Sequence, residues 1–224
     1  MAVDNSSREA ILGRIKTALR SSAPPPEPAR NTPVFPPVEN VLDRFRQECA
    51  TNLVECVVTA SQMESSQALA NTLASLPDGE VWLQDASELR AIMNGMSAAP
   101  RLDTPARMGA TRWSSEGRPH EDAQATITLA ELLVAATGSM FVSSSCGGRA
   151  GSVAAPVHIV YAKVSQLVPD LEAAFARLYA EGAVTQNSFV GLITGSSRTA
   201  DIEKILVLGA HGPRRVILVL QTGK

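Results

Sequence analysis

Six short runs of aliphatic and β-branched residues punctuate the chain, at 54–59, 81–83, 125–128, 156–162, 189–194 and 216–220. Segments with helical spacing fall between most of them, at 39–50, 61–76, 86–96, 169–181 and 199–208. Alternating strands and helices require crossover connections, and crossovers make neighbouring strands parallel. The pattern predicts an α/β protein built on a mostly parallel sheet flanked by helices. Local signals agree with it. Ser61-x-x-Glu64 has the form of a capping box, and Pro77-Asp78-Gly79 is a turn sequence. Residues 102–122 are polar and carry no clear element, 130–133 reads as a brief helical turn, and Thr137-Gly138 breaks the pattern ahead of Ser139.

The first 38 residues are of another kind. Ser6-x-x-Glu9 is a further capping box, and Ile11, Leu12, Ile15 and Leu19 recur at helical spacing, so 7–20 is expected to be an amphipathic helix. Residues 21–37 then hold seven of the chain's 14 prolines. Proline lacks the donor that helix and sheet interiors need, so this stretch reads as an extended linker. The expected organisation is a helix on a proline-rich tether over 1–38, followed by a single α/β domain over 39–224.

Charge and cysteine content narrow the function classes. The formal net charge is −2 over 224 residues, with Lys and Arg dispersed, so no basic field invites nucleic acid or a membrane surface. No apolar run is long enough to span a bilayer, and the polar N-terminus lacks the apolar core of a signal peptide. Cys49, Cys56 and Cys146 are odd in number and widely spaced, which fits a reducing compartment and a cytoplasmic location better than a disulfide framework. His120, His158 and His211 are scattered without metal-ligand spacing, and no metal site is expected.

Chemistry concentrates in the C-terminal half. The strand at 189–194 runs into Gly195-Ser196-Ser197-Arg198-Thr199-Ala200-Asp201, where a helix is expected to start. Strand ends and helix N-termini favour anions, and Arg198 can hold a carboxylate or phosphate by two hydrogen bonds. The structural alternative is that Ser197 or Thr199 caps the helix and Arg198 pairs with Asp201 or Glu203. Gly209 to Pro213 suits a helix stop, with His211 either a proton-transfer group or a histidine favoured by the helix dipole. Residues 143–152 form a polar, glycine-bearing loop that lacks a P-loop signature, and Arg149 is its one candidate ligand contact. Alternation sets His158 opposite Val157 and Ile159 on its strand, where a hydrogen-bonded buried histidine is the simpler reading. Nothing adjacent in sequence activates Cys146 as a nucleophile.

Three stretches together resemble the lactate-utilisation (LUD domain) family, LutC type. They are Ala135-Ala136-Thr137-Gly138-Ser139, then Arg149 to Ser152 leading into Pro156-Val157-His158-Ile159, and finally Ile193 to Glu203 with Leu208-Gly209-Ala210-His211-Gly212-Pro213-Arg214. The resemblance implies the NagB/RpiA/CoA-transferase-like fold and a part in oxidising lactate to pyruvate beside iron–sulfur partner proteins. Three cysteines cannot hold a four-cysteine cluster, so the clusters are expected on the partners and no cofactor on this chain alone. The ligand-binding residues so implied are Thr137, Gly138, Arg149, His158, Thr194, Gly195, Ser196, Ser197, Arg198, Thr199, Asp201, His211 and Gly212. Arg198, Asp201 and His211 are the candidates for catalysis, and the ligand is expected to be a small anion or nucleotide-like molecule.

The sequence departs from the family where an acid is usual. The Glu of the Glu-Thr-Gly-Thr motif falls on Ala136, which can neither accept a proton nor carry a covalent intermediate. Glu131 is the nearest acid in sequence. Two functions follow: an accessory subunit of an iron–sulfur-dependent lactate-oxidising complex, or a stand-alone or inactive member of the same fold class acting on a phosphorylated or acyl-CoA-type ligand. Homo-oligomerisation is compatible with either.

Overall fold

In a computed structural model of the chain, the structure describes residues 6–20, 36–77, 79, 81–96, 106–109, 123–144, 149–199, 207–209 and 211–223. The linker at 21–35, His120, Cys146, Ala200, Asp201 and Glu203 lie outside the described residues. The chain divides into two compact units, Met1–Val34 and Phe35–Lys224. In the first, helix α1 covers Ser6–Arg20, one residue earlier than its spacing predicts, and exposes Ile11, Leu12, Ile15 and Leu19.

The second unit opens with α2 (Val41–Thr51), β1 (Val54–Thr59), α3 (Gln62–Ala74), β2 (Val81–Gln84), α4 (Ser87–Gly95) and β3 (Ala106–Gly109). The Asn40 side chain accepts the Asp43 N–H at 3.1 Å and so starts α2 at Val41. At α3, Ser61 Oγ accepts the Glu64 N–H, while the Glu64 carboxylate reaches back to the Ala60 N–H at 2.8 Å, one residue upstream of the usual capping box. The chain continues through β4 (Ala125–Leu129), β5 (Leu132–Val134), β6 (Ser139–Ser143), β7 (Val157–Lys163), β8 (Leu167–Val168), α5 (Leu171–Ala180), α6 (Ala183–Gln186) and β9 (Val190–Ile193). It ends with β10 (Arg198–Thr199), β11 (Val207–Leu208) and β12 (Arg215–Gln221).

Six strands form one wholly parallel sheet in the order β1-β12-β7-β4-β2-β3. Its inner strands are buried on both faces, which is why β7 and β12 read as nearly unbroken apolar runs. On one face Ile127, Ile159 and Ile217 pack beneath Leu69, Leu89 and Ile92 of α3 and α4. On the other, Val160, Val216, Leu218 and Leu220 meet Phe45 and Cys49 of α2 together with Leu133 and Met140. Each such aliphatic side chain contributes about 1.5–3 kcal/mol when fully buried.

Leu133 and Met140 belong to a second, mixed sheet in the order β8-β5-β6-β9, whose far side packs on α5 through Ala174 and Leu178. The fold is thus layered: helices α3 and α4, the parallel sheet, the mixed sheet beside α2, then α5. Two sequence expectations fail here. Residues 130–133 form no helical turn, because β5 pairs antiparallel with β6 and parallel with β8. The described ends of the helix expected over 199–208 are strand as well: Arg198 and Thr199 pair with Leu208 and Val207 in a two-residue antiparallel ladder, and residues 200–206 lie outside the described residues. No helix among the described residues is long and apolar enough to cross a membrane.

Candidate functional site

Two loops that sequence analysis marks separately meet at the C-terminal end of α2. Asn52 caps that helix, and its side chain joins them. The Asn52 amide nitrogen donates to the carbonyls of Glu48 (2.9 Å) and Thr137 (3.0 Å), and its amide oxygen accepts from Arg198 Nη2 at 3.3 Å. Thr137 lies in the β5–β6 turn and Arg198 at the start of β10, so one short side chain ties together positions 85 and 146 residues away.

Glycines bring the same loops against the helix backbone. Gly195 has φ +89°, and a Cβ there would sit 2.0 Å from the Asn52 carbonyl oxygen. Gly138 has φ +63°, and its Cβ would stand 2.7 Å from the Glu48 carbonyl carbon. Only glycine combines this backbone conformation with so close an approach. Ser139 and Thr194 hydroxyls join at 2.7 Å across the adjoining ends of β6 and β9. Ser196 Oγ donates to the Leu53 carbonyl at 3.2 Å, holding a residue whose φ of +59° is unusual for a side-chain-bearing residue.

Beside this junction lies a cleft of about 340 Å³ lined by residues 36–40, Arg44, Ala136 and Thr137. That is the low end of the range for small-molecule sites. Arg44 supplies positive charge there, balanced by its 2.7 Å ion pair with Glu48. The Thr137 Oγ1 atom is buried and makes no hydrogen bond to the protein.

The expected residues therefore separate into groups. Thr137, Gly138, Thr194, Gly195, Ser196 and Arg198 come together around Asn52. Ser197 and Gly212 lie next to them in the chain's return: the Ser197 N–H donates to the Pro213 carbonyl at 2.8 Å, and a Cβ on Gly212 would meet Ser197 Cβ at 3.2 Å. His211 is exposed in that loop. Arg149 opens a 3₁₀ turn, Arg149–Ser152, and Thr199 follows Arg198 in the return ladder. Arg198 and Thr199 are paired as strand, so neither of these two residues forms the helix N-terminus that was to supply anion-binding N–H groups.

His158 follows the simpler reading. It is fully buried on β7, with Nε2 at 2.8 Å from Thr128 Oγ1, and burial lowers its pKa to about 4. Its Nδ1 and Thr126 Oγ1, on register-paired residues, are buried without protein partners. Glu131 does not replace the acid missing at Ala136. Its carboxylate accepts from Ser143 Oγ at the open end of the β5–β6 hairpin, whereas Ala136 lies in the turn at the other end. The three residues of β5 lie between them. Among the described residues no group of three or more His, Cys, Asp or Glu side chains gathers as a metal site.

A parallel-sheet α/β domain with its loop cluster packed on a helix C-terminus defines the class of protein. The chain belongs to the LUD domain family, whose sequence model matches residues 42–221. It is similar to Lactate utilization protein C of Geobacillus thermodenitrificans (strain NG80-2), 30% identical over 196 residues that cover 83% of this chain and 80% of that protein. Lactate utilization protein C of Bacillus pumilus (strain SAFR-032) is 27% identical over 194 residues, covering 81% and 78%. The fold is shared with the crystal structure of a DUF162 family protein from Deinococcus radiodurans, at a TM-score of 0.60 and 17% identity, covering 80% of this chain and 95% of that one.

Proposed function

We propose that the chain is an accessory subunit in the iron–sulfur-dependent oxidation of lactate to pyruvate, binding a small anionic or nucleotide-like ligand beside Thr137 and Arg198. The relatives named for lactate utilization support the process. The observation that carries the binding role is the Asn52 junction: it fixes two loops of the family motif next to a cleft that holds Arg44 and a buried, unpaired threonine hydroxyl. Electron carriers belong on partner proteins, since three cysteines cannot ligate a four-cysteine cluster. The exposed apolar stripe of α1 suits docking to those partners, and a cytoplasmic setting suits the reduced cysteines.

Affinity purification from the native cells under anaerobic conditions tests the subunit role, with iron–sulfur proteins expected in fixed stoichiometry. A solitary chain counts against it. Deleting residues 1–34, which spares the 36–40 wall of the cleft, is expected to weaken partner binding and leave the second unit folded. Full partner affinity in the truncated protein would remove α1 from the interface.

Ligand binding is tested by thermal shift against small carboxylates including lactate, nucleotides and CoA esters. A ligand at a hundred times its Kd stabilises by about 2.7 kcal/mol. Arg198→Ala is expected to abolish the shift, and persistence of the shift would move the site elsewhere. The second reading, a member that binds without turnover, draws on one observation: Ala136 stands at the motif's acid position while Glu131 is engaged at the far end of the hairpin. It predicts a thermal shift with no substrate consumed by the isolated chain.

A further inference from the structure

Helix α1 carries charge as well as an apolar stripe, and the charges flank the stripe. Ile11, Leu12, Ile15 and Leu19 are each between 41% and 79% exposed. Successive helical residues turn by about 100°, so these four occupy an arc of roughly 100° along one side. Arg14 lies about 60° outside one edge of that arc, and Lys16 about 40° outside the other. Arg20 follows on the Lys16 side, and Arg8 stands on the line of the stripe itself, toward the N-terminus. The opposite side holds Gly13 and Thr17, and the Thr17 hydroxyl donates to the Gly13 carbonyl of its own helix at 3.0 Å. Four cations thus stand against the single carboxylate of Glu9, in a chain whose formal net charge is −2.

We propose that α1 docks, as a helix, into an apolar groove on a partner protein whose two rims carry carboxylates. The inference rests on the subunit reading and adds the chemistry of the surface that receives this chain. Leu12, Ile15 and Leu19 stand at the i, i+3, i+7 spacing of a groove-bound helix, with Ile11 one turn before Ile15. The flanking cations then fall on the rims of the groove, where opposite charge speeds encounter and fixes register. Arg14 meets one rim and Lys16 the other, and Arg8 calls for an acid at the groove's end.

Charge and composition set aside the other occupants. A second copy of α1 would bring four cations against four. A lipid surface holds interfacial helices through aromatic as well as leucine side chains, and α1 has no Phe, Tyr or Trp. A neutral apolar groove would strip water from Arg14 and Lys16 without supplying a partner, which costs affinity. Rising salt weakens a complex of the proposed kind, because exposed ion pairs are screened.

The experiment uses the full chain in the complex purified anaerobically from its native cells, treated with a carbodiimide that joins a lysine amine directly to a touching carboxylate. Lys16 is the only lysine before Lys163, and trypsin releases it in peptide 15–20. That peptide is expected joined through Lys16 to an Asp or Glu of a partner protein. Arg14→Glu with Lys16→Glu should lower partner recovery about tenfold in about 0.15 M salt. Ile15→Ser with Leu19→Ser should do the same, and Lys16→Arg should keep the partner while losing the cross-link. Full recovery by the charge-reversed chain, no Lys16 cross-link in the intact complex, or a cross-link to another copy of this chain would each overturn the docking proposal and leave the subunit reading in place. Sedimentation of the full chain with phosphatidylglycerol vesicles, lost on charge reversal, would overturn it in favour of a lipid surface. A cross-linked partner without an iron–sulfur cluster strikes the subunit reading alone, and a chain that purifies with no partner strikes both. The wild-type cross-link decides the matter even where a variant loses its helix.

Discussion

Gly195→Ala is expected to destabilise the second unit by about 3 kcal/mol, which lowers its thermal midpoint by roughly 6–12 °C for a domain of this size. Two costs combine. A side chain at φ +89° pays about 1–2 kcal/mol for the left-handed conformation. The new Cβ must also push back the Asn52 carbonyl, 2.0 Å away, and overpacking of this kind costs about 1–3 kcal/mol. The clash is with backbone, so no side-chain rotation relieves it. Gly13→Ala is the matched control. It lies in α1, where an added methyl would meet nothing within 4 Å, and it should leave the midpoint of the second unit unchanged. Differential scanning calorimetry of both variants checks the contrast. A Gly195→Ala midpoint indistinguishable from wild type would mean that the Asn52 junction is loosely packed in solution.

The second large effect is a loss of stability in mild acid centred on His158. Its pKa falls from 6.5 to about 4 on burial, so between those values the unfolded chain binds a proton that the folded chain does not. Stability from this group is complete above pH 6.5 and declines as pH falls toward 4. The full difference is about 3 kcal/mol at 1.36 kcal/mol per pH unit. Glu55 shifts in the same direction from its own, lower reference: its pKa is lowered by the Arg215 hydrogen bond, so its contribution is present above 4.5 and lost as pH falls below it. Urea unfolding between pH 7 and pH 4 should therefore show a wild-type slope that His158→Gln lacks in the upper part of the window. Parallel curves for the two proteins would show that His158 does not titrate as a buried group.

The parallel sheet was readable because its inner strands are buried on both faces. Val157 to Ala162 and Val216 to Leu220 are near-continuous apolar runs, and their boundaries in the fold differ from the expected ones by a residue. The mixed sheet was harder to see. Leu132–Val134 is three residues long, too short for periodicity to separate strand from helix, and only its partners in β6 and β8 make it a strand. β3 is four residues in a polar region and gives no signal. The expected helix over 199–208 rested on spacing and capping residues, and pairing of Arg198 with Leu208 overrides both at its ends.

The site was half legible. Thr137, Gly138, Gly195 and Arg198 stand in motif positions, and the fold gathers them. Asn52 was invisible, because an asparagine ending a helix is ordinary capping chemistry and its two distant partners leave no mark on local spacing. Arg44 likewise reads as one charge of an exposed helix, paired with Glu48, until the 36–40 segment and the hairpin turn form a cleft around it.

The strand order carries a consequence for synthesis. β1 has a single neighbour, β12, with Val54 opposite Val216. Between them lie some 160 residues of chain. At about 5–20 residues per second, translation leaves β1 without its partner for roughly 8–30 s. During that interval a nascent polypeptide displays an unpaired apolar strand, the kind of surface that chaperones cover. Insertion of β12 between β1 and β7 is then a late, long-range event, so a ribosome stalled before Arg215 holds four strands, β7-β4-β2-β3, with β1 cut off from them.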